Sequence, residues 1–155
     1  MRSFSQILLP AGLVIFAAGW AASDEPPQIQ SFVDYCGFVG ANLTDTHWLG
    51  VFCRNNMTDV YGYNYTWIDL DFCLGNNGSQ LIPYENGNYS TSCTDCTIHS
   101  SRQPKNSLML TCSCEDANWE LVESSIELNT TLFDYNGSAG CFDHLGNKTW
   151  LHHNL

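Results

Sequence analysis

The sequence predicts an all-β protein built from many short antiparallel strands, and three features indicate this class. Apolar and polar residues alternate over short runs that Asn, Gly, Ser and Asp interrupt. No segment shows the longer apolar periodicity of an amphipathic helix. Asn-Gly turn pairs and eight cysteines complete the pattern, which is typical of small, cross-linked β domains.

The N-terminal residues 1–23 are predicted to be a secretory signal peptide. Arg2 precedes an apolar run over residues 7–18, and the small residues 21–23 follow just before an acidic pair. The run is shorter than the ~20 residues that span a bilayer, which disfavours a membrane anchor. We therefore expect cleavage within residues 21–23 and a secreted, extracellular protein without a membrane partner. Residues 24–31, which contain a proline pair, are predicted to be a linker.

Alternating runs after the linker are predicted to be strands, at residues 48–53, 65–70, 107–112 and 120–128. Asn-Gly pairs beginning at Asn77 and Asn136 predict tight hairpin turns, because both residue types tolerate positive φ angles. Directly before each hairpin, residues 70–73 and 128–131 are predicted to form a short helical turn.

The order of these features occurs twice along the chain. An aromatic-x3-Cys motif, a Leu-x3-Cys motif, an Ile-acidic-Leu triplet and an Asn-Gly pair follow one another in both copies. The matched residues are Phe32 and Cys36 with Tyr89 and Cys93, Leu49 and Cys53 with Leu110 and Cys114, Ile68 and Leu70 with Ile126 and Leu128, and Asn77 and Gly78 with Asn136 and Gly137.

Two copies predict a pseudo-twofold domain over residues 32–141, in which each repeat covers the apolar face of the other. The repeats span about 32–88 and 89–141, and residues 142–155 are predicted to be a C-terminal tail. Repeats that stack into solenoids or propellers need more than two copies, so those architectures are excluded.

The charge and the polar residues exclude several functions. Sixteen acidic residues oppose five basic ones, for a formal net charge of −11 at pH 7. Such a surface repels phosphate backbones, so nucleic acid is not an expected partner. No nucleophile lies at a recognisable spacing from a base, and the histidines are scattered. We therefore expect no catalytic residue, no metal and no cofactor.

The eight cysteines predict four disulfides, because an even count behind a signal peptide indicates an oxidising compartment. They are Cys36, Cys53, Cys73, Cys93, Cys96, Cys112, Cys114 and Cys141. Cys93 and Cys96 form a C-x-x-C motif that could instead belong to a zinc site or a redox pair, although the compartment favours disulfides. Spacing alone leaves every connectivity open.

Asn-x-Ser/Thr sequons mark candidate N-glycosylation sites, although chance explains several of them in a chain rich in Asn, Ser and Thr. Those that are occupied must lie at the surface. The eight are Asn42, Asn56, Asn64, Asn77, Asn88, Asn129, Asn136 and Asn147.

The duplicated order of aromatic-x3-Cys, Leu-x3-Cys, Ile-acidic-Leu and Asn-Gly resembles the cyanovirin-N homology family of lectins, most closely its secreted fungal members. The resemblance implies a pseudo-symmetric fold whose hairpins swap between halves. It also implies a non-catalytic protein that binds mannose-type oligosaccharides or glycoproteins, one site per half, as a monomer or a domain-swapped dimer with a hinge near residues 86–89. A secreted protein-interaction or effector-like protein on the same scaffold, without sugar binding, is the alternative.

The resemblance also implies a disulfide pattern. Family disulfides would join Cys36 to Cys53 and Cys93 to Cys114. Cys96 and Cys112 depart from the founding pattern but would fit as a neighbouring bridge on the same two strands. The remaining pair, Cys73 and Cys141, would then connect the two repeats.

Carried over by position, the resemblance implies two sugar pockets. The first would use Tyr35, Arg54, Asn56, Asp134, Tyr135 and Asn136. The second would use Asn76, Asn77, Thr91, Ser92, Glu115, Asp116 and Asn118. Three of these residues, Asn56, Asn77 and Asn136, are themselves sequons, so a glycan there could cover its own pocket.

Two further expectations concern the pocket rims and the tryptophans. Arg54 and the run Glu115-Asp116-Ala117 invert the charges of the founding member, which implies a changed glycan preference. Trp48, Trp67 and Trp119 are expected in the core or on a sheet surface rather than as stacking platforms for a sugar.

Overall fold

The computed structural model of the protein describes residues 29–55, 62–101 and 106–149. The predicted signal peptide and Asn56 lie outside these ranges. Within them, no helix is long and apolar enough to cross a membrane. Most of the described chain is antiparallel β structure, which confirms the predicted all-β class.

The first half of the chain contributes a short helix and six strands. In chain order these elements are β1 (Ile29–Ser31), α1 (Phe32–Tyr35), β2 (Cys36–Thr44), β3 (Trp48–Arg54), β4 (Tyr63–Asp69), a 3-10 turn (Leu70–Phe72), β5 (Leu74–Asn77) and β6 (Gln80–Pro83). The Asp69 carboxylate accepts a hydrogen bond from the Asp71 backbone N–H at 3.0 Å, which caps the 3-10 turn at its start.

The second half repeats this order. Its elements are a 3-10 turn (Tyr89–Thr91), β7 (Cys93–Ser101), β8 (Ser107–Glu115), β9 (Leu121–Glu127), a 3-10 turn (Leu128–Thr130), β10 (Phe133–Tyr135) and β11 (Ser138–Cys141), followed by β12 (His144–Leu145) and β13 (Asn147–Thr149). The predicted strands and both predicted helical turns are therefore confirmed, with ends shifted by up to three residues.

Two antiparallel sheets form the body of the fold. The first sheet has the strand order β13-β4-β3-β2, and the second sheet has the order β7-β8-β9. A third group has the order β1-β10-β11-β12, and β5 pairs with β6 as a separate hairpin. Each repeat thus supplies a meander of three strands and a hairpin.

The hairpins exchange between the halves, as the resemblance implied. The hairpin β5–β6 contacts β9 of the second sheet, where the Leu81 N–H donates to the Ser124 hydroxyl at 2.9 Å. Strand β11 contacts β3 and β4 of the first sheet. Each repeat therefore completes the packing of the other, and neither half has a closed core of its own.

The core is one cluster of buried residues, to which both sheets and both exchanged hairpins contribute. Alternate residues of β8 are buried, because successive side chains of a strand point to opposite faces. The repeat-matched apolar residues are all buried, namely Leu49, Ile68, Leu70, Leu110, Ile126 and Leu128. Tyr89 is also fully buried and donates its hydroxyl to the Thr46 carbonyl at 2.6 Å, which ties the second repeat to the first.

Four disulfides connect the cysteines in the pairing that the resemblance implied. Cys36 is bonded to Cys53 and Cys93 to Cys114, and each pair links directly opposed residues of neighbouring strands. The other two bonds are Cys96 to Cys112, between β7 and β8, and Cys73 to Cys141, which crosses from the first repeat to the second. The zinc and redox interpretations of the C-x-x-C motif are therefore wrong.

The predicted linker, residues 24–31, and the predicted tail, residues 142–155, both contain strands in the structure. The last three linker residues form β1, which pairs with β10. The predicted tail contains β12 and β13, and β13 extends the first sheet by pairing with β4. These strands are held by the open edges of neighbouring strands, so their own residues need no alternating pattern.

The hairpin turns also differ from the sequence alignment by one residue. Gly78 and Ser79, at φ 59° and 74°, form the first turn, because Asn77 pairs with Gln80. Asn136 and Gly137 form the second turn, because Tyr135 pairs with Ser138. Matched by turn, the position of Asn76 in the first hairpin corresponds to Asp134 in the second, and both face inward.

Candidate functional site

The second predicted pocket is assembled around Asn76, at the inner face of the hairpin β5–β6. The Asn76 side-chain amide nitrogen donates to the Ser92 hydroxyl at 3.0 Å and to the Glu115 carbonyl at 2.8 Å. The Glu115 N–H in turn donates to the Ser92 carbonyl at 2.8 Å. Residues distant in the sequence thus meet at the end of β8, as the resemblance implied.

Asn76 also presents an unsatisfied acceptor. Its side-chain oxygen is buried and has no hydrogen-bond partner among the described residues. Buried polar atoms normally have a partner, because an unpaired one costs about 1–3 kcal/mol. The free oxygen is therefore positioned to accept a hydrogen bond from a ligand hydroxyl or a water molecule.

Asp116 organises the turn that follows β8. Its carboxylate accepts hydrogen bonds from the Asn118 N–H at 2.7 Å and the Glu120 N–H at 3.0 Å. These hydrogen bonds lower the pKa of Asp116, and the bond from the Glu120 N–H has the largest effect. The carboxylate is therefore ionised at neutral pH. Asp116 is thus a structural anchor that fixes the turn after β8.

Trp119 is the residue at this site that the sequence interpretation missed. The side chain is 80% exposed and stands on the turn between Asp116 and Glu120, with its backbone at φ 66°. The expectation of a core or sheet-surface position is wrong for Trp119, whereas Trp48 and Trp67 lie half-buried on the first sheet. Its position between polar residues just after a strand was the signal that pointed to a loop.

Asn77 and Thr91 are at the edge of this site rather than inside it. Neighbouring residues in a strand point to opposite faces, so Asn77 points away from the side that Asn76 occupies, and it is exposed. A glycan on Asn77 would therefore leave the pocket open. Thr91 is exposed, and its hydroxyl donates to the Asn88 carbonyl at 2.8 Å.

The first predicted pocket is only partly formed. Helix α1, which ends at Tyr35, contacts β3 and β10 and so brings Tyr35 close to the strands that carry Arg54 and Tyr135. Arg54 is exposed at the end of β3. Asn136 forms part of the hairpin turn, and its carbonyl accepts a hydrogen bond from the Lys148 ammonium at 2.6 Å.

Asp134 does not line an open surface, in contrast to its expected place in the first pocket. Its side chain is fully buried, and one carboxylate oxygen accepts the Gly137 N–H at 3.0 Å while the other has no partner among the described residues. Burial raises the pKa of Asp134 to about 6, against the lowering effects of the Gly137 N–H and of Lys148. The inward orientation follows from its register with Ala139.

The raised pKa predicts a pH-dependent stability. Between its ordinary pKa of 3.8 and about 6, Asp134 holds a proton in the folded state but not in the unfolded state. Its contribution to the free energy of unfolding should therefore fall by roughly 1–2 kcal/mol as pH rises from 4 to 7. Urea denaturation of the wild type and Asp134→Asn across this range measures the effect, since the variant lacks this titration. Parallel curves for the two proteins would contradict the prediction.

Three described groups bring potential metal ligands close together. In one of them, Cys36 and Cys53 with Asp134, the cysteines form a disulfide, and the other two are clusters of histidine and carboxylate residues. In the first of these two clusters, His47, Asp69 and Asp71, the Asp71 carboxylate is already engaged by the Ser90 N–H at 2.9 Å and the Ser90 hydroxyl at 2.5 Å. The second consists of Glu85, Asp143 and His144, whose imidazole stacks on Phe72 at 4.6 Å. In both, hydrogen bonding or ring packing gives the residues a structural role.

The structure sorts the sequons by their side-chain environment. Asn42, Asn77, Asn88 and Asn147 are exposed. The Asn64 side-chain oxygen, Oδ1, instead accepts a hydrogen bond from the Asn55 side-chain nitrogen, Nδ2, at 3.1 Å. The Asn129 amide nitrogen donates to the Glu127 carboxylate at 2.6 Å and to the Asn106 carbonyl at 3.2 Å.

Comparison with protein families gives one match. The CVNH domain model matches residues 32–145, which covers most of the chain and both pockets. None of the curated proteins compared matches the sequence.

Comparison with solved structures gives several similar folds. The chain superposes on the NMR structure of GzCVNH from Gibberella zeae with a TM-score of 0.60 and 22% identity, covering 72% of this chain and 96% of that one. It superposes on microvirin in a complex with mannobiose with a TM-score of 0.55 and 18% identity, covering 73% and 99%. It superposes on a MoCVNH3 variant in complex with (N-GlcNAc)4 with a TM-score of 0.58 and 15% identity, covering 73% of this chain and 97% of that one.

Proposed function

We propose, from the premise that the chain belongs to the CVNH domain family, that it is a non-catalytic carbohydrate-binding protein whose sugar site is the pocket around Asn76. The observation that carries the proposal is the buried, unpartnered side-chain oxygen of Asn76, which lies beside the Ser92 hydroxyl and the backbone of Glu115. Sugars are uncharged and hydrated, and such converging polar groups replace their water.

The exposed indole of Trp119 supplies the apolar part of the proposed site. A pyranose ring has one face of C–H groups, and such faces pack against aromatic rings, much as other apolar groups do. Trp119 stands on the turn that Asp116 anchors, directly after Glu115 at the end of β8. The turn therefore holds a stacking surface close to the polar groups that would fix the orientation of the sugar.

The two pockets are proposed to differ in activity. At the first pocket, β1 pairs with the outer edge of β10, and the residue that corresponds to Asn76 is the buried Asp134. At the second pocket, the described residues include no comparable strand alongside β5, which makes an isolated bridge from Gly75 to Asn88. The second pocket is thus the more accessible of the two.

The charge of the site limits the class of sugar. Glu115, Asp116 and Glu120 lie around the pocket, and their carboxylates would repel uronic or sialic acids. Neutral oligosaccharides are therefore the proposed ligands, with mannose-type glycans expected from the family. The mannobiose complex of microvirin supports mannose-type ligands, and the (N-GlcNAc)4 complex of the MoCVNH3 variant supports GlcNAc oligomers as a second neutral class. Secretion, which the N-terminal pattern predicts, would bring the protein into contact with such glycans.

A glycan array tests the proposal. Enzymatically deglycosylated protein should bind neutral mannose-type or GlcNAc oligomers and leave sialylated ones unbound. Asn76→Ala and Trp119→Ala should each weaken binding by about tenfold, which corresponds to the loss of about 1.4 kcal/mol of interaction. Titration calorimetry with the best array ligand measures the loss.

Tyr63→Ala is the matched control, because Tyr63 is an exposed aromatic residue on β4 of the first sheet, whereas the pocket lies at the end of β8 in the second sheet. Its affinity should equal that of the wild type, and circular dichroism should show all variants folded. If neither the glycosylated nor the deglycosylated protein binds any glycan on the array, the lectin function is overturned in favour of a protein-interaction role.

A further inference from the structure

Two sequons lie in one cross-strand row of the first sheet. Asn42 of β2 is opposite Gly50, Gly50 is opposite Trp67, and Trp67 is opposite Asn147 of β13. Directly opposed residues share a face of the sheet, so both asparagines point to the same side as Trp67, away from the core. They stand at the two edge strands, and both are exposed.

Aromatic side chains occupy this row, at Trp67, and the next row on the same face, where Phe52 is opposite Tyr65. The rings of Phe52 and Tyr65 are 4.7 Å apart, and those of Tyr65 and Trp67 are 5.4 Å apart, both in edge-to-face contact. Gly50 leaves space for them, because a Cβ atom there would lie 2.9 Å from the Trp67 ring. We call Phe52, Tyr65 and Trp67 the aromatic face. All three side chains are half-buried, so parts of their rings remain on the surface.

The second repeat provides an internal comparison. At the positions of Gly50 and Trp67 its sheet has Thr111 and Ser125, whose hydroxyls are hydrogen-bonded at 2.8 Å. Ser113 and Glu123 stand at the positions of Phe52 and Tyr65, and Thr97 stands at that of Asn42. No described strand corresponds to β13. The aromatic rings and the two sequons therefore occur together on the first sheet, and the matching positions of the second sheet have neither.

We infer that Asn42 and Asn147 carry N-linked oligosaccharides whose inner sugars pack over the aromatic face. Pyranose C–H faces suit aromatic rings, and the two attachment points stand at the ends of the row that contains Trp67, beside Phe52 and Tyr65. The oligosaccharide is transferred to asparagine from a lipid-linked pyrophosphate donor. The asparagine Nδ2 bonds to the anomeric carbon of the first sugar, and the bond from that carbon to the pyrophosphate breaks. The amide proton and the pyrophosphate leave. This face is separate from the pocket around Asn76, so the inference does not depend on sugar binding there.

Glycopeptide mapping of the full chain, secreted from a eukaryotic host, tests the attachment. Both Asn42 and Asn147 should be modified. Asn129 should be unmodified, because its amide nitrogen already has two acceptors. Folded protein that is secreted with either Asn42 or Asn147 unmodified would overturn the inference.

Removal of the glycans tests the packing. The double variant Asn42→Gln with Asn147→Gln should bind the neutral dye Nile red at least about twofold more strongly than the wild type, because the aromatic face is uncovered. Asn77→Gln, which removes an exposed sequon elsewhere, is the matched control and should change the signal little. If the double variant is not secreted, enzymatic deglycosylation of the folded wild type gives the same readout. An unchanged dye signal after glycan loss would overturn the inference.

Discussion

The double substitution Cys73→Ala with Cys141→Ala is expected to lower the free energy of unfolding by about 4 kcal/mol. The bond between these residues closes a loop with a sequence separation of 68, the longest of the four disulfide loops. The bridge between Cys93 and Cys114 lies inside that loop and shortens it, and the estimate allows for this. Cys73 and Cys141 are fully buried, so the loss of packing adds to the entropic effect.

Thermal unfolding measures the effect of this substitution. A melting temperature lower by roughly 15 °C is expected for a domain of this size. The matched control is Cys96→Ala with Cys112→Ala, because that bond has a neighbour between the same two strands. A cross-link beside another one restricts the unfolded chain little further, so the control should lose less than half as much stability. Equal losses in the two variants would contradict the prediction.

Gly87→Ala is expected to destabilise the protein by about 2–4 kcal/mol, because the new methyl group has no space. A Cβ atom on Gly87 would lie 2.6 Å from the Gly75 Cα atom and would also collide with the Leu74 carbonyl. These are backbone atoms of β5 and cannot turn aside as a side chain can. The segment around Gly87 is held by hydrogen bonds from the Asn86 N–H to the Phe72 carbonyl and from the Asn88 N–H to the Asp71 carbonyl.

Gly62→Ala is the control for this prediction. A Cβ atom on Gly62 would meet no atom within 4 Å, and no positive φ angle strains the residue. The free energy of unfolding from urea titrations should therefore change by less than about 1 kcal/mol, in either direction. If Gly87→Ala proves as mild as Gly62→Ala, the close packing of β5 on the connection between the repeats is refuted.

The sequence predicted those parts of the fold that depend on local pattern. Alternation located β3 and β8, because burial of every second residue is encoded within each strand. The repeated landmarks placed Leu49 with Leu110 and Leu70 with Leu128, and all four are buried in the structure. The Asn-Gly pairs located both hairpins, although the first turn uses Gly78 and Ser79 instead.

The parts that the sequence did not predict depend on tertiary contacts. β13 has no apolar alternation and exists because β4 offers it an open edge. The burial of Asp134 and the unpaired oxygen of Asn76 arise from which face each hairpin turns inward, and one residue of register decides this. The exposure of Trp119 depends on the turn that Asp116 holds, which composition cannot reveal.

The bond between Cys73 and Cys141 has a consequence for assembly. The connection near Gly87 separates the repeats along the chain, and Cys73 precedes it while Cys141 follows it. If two chains exchanged repeats through this connection, each Cys73 would meet the Cys141 of the other chain. The same bond would then become a covalent link between molecules. Formation of this disulfide therefore fixes the arrangement that exists when the two cysteines are oxidised. Whether the protein is a monomer or an exchanged dimer is then decided during folding and not by a later equilibrium.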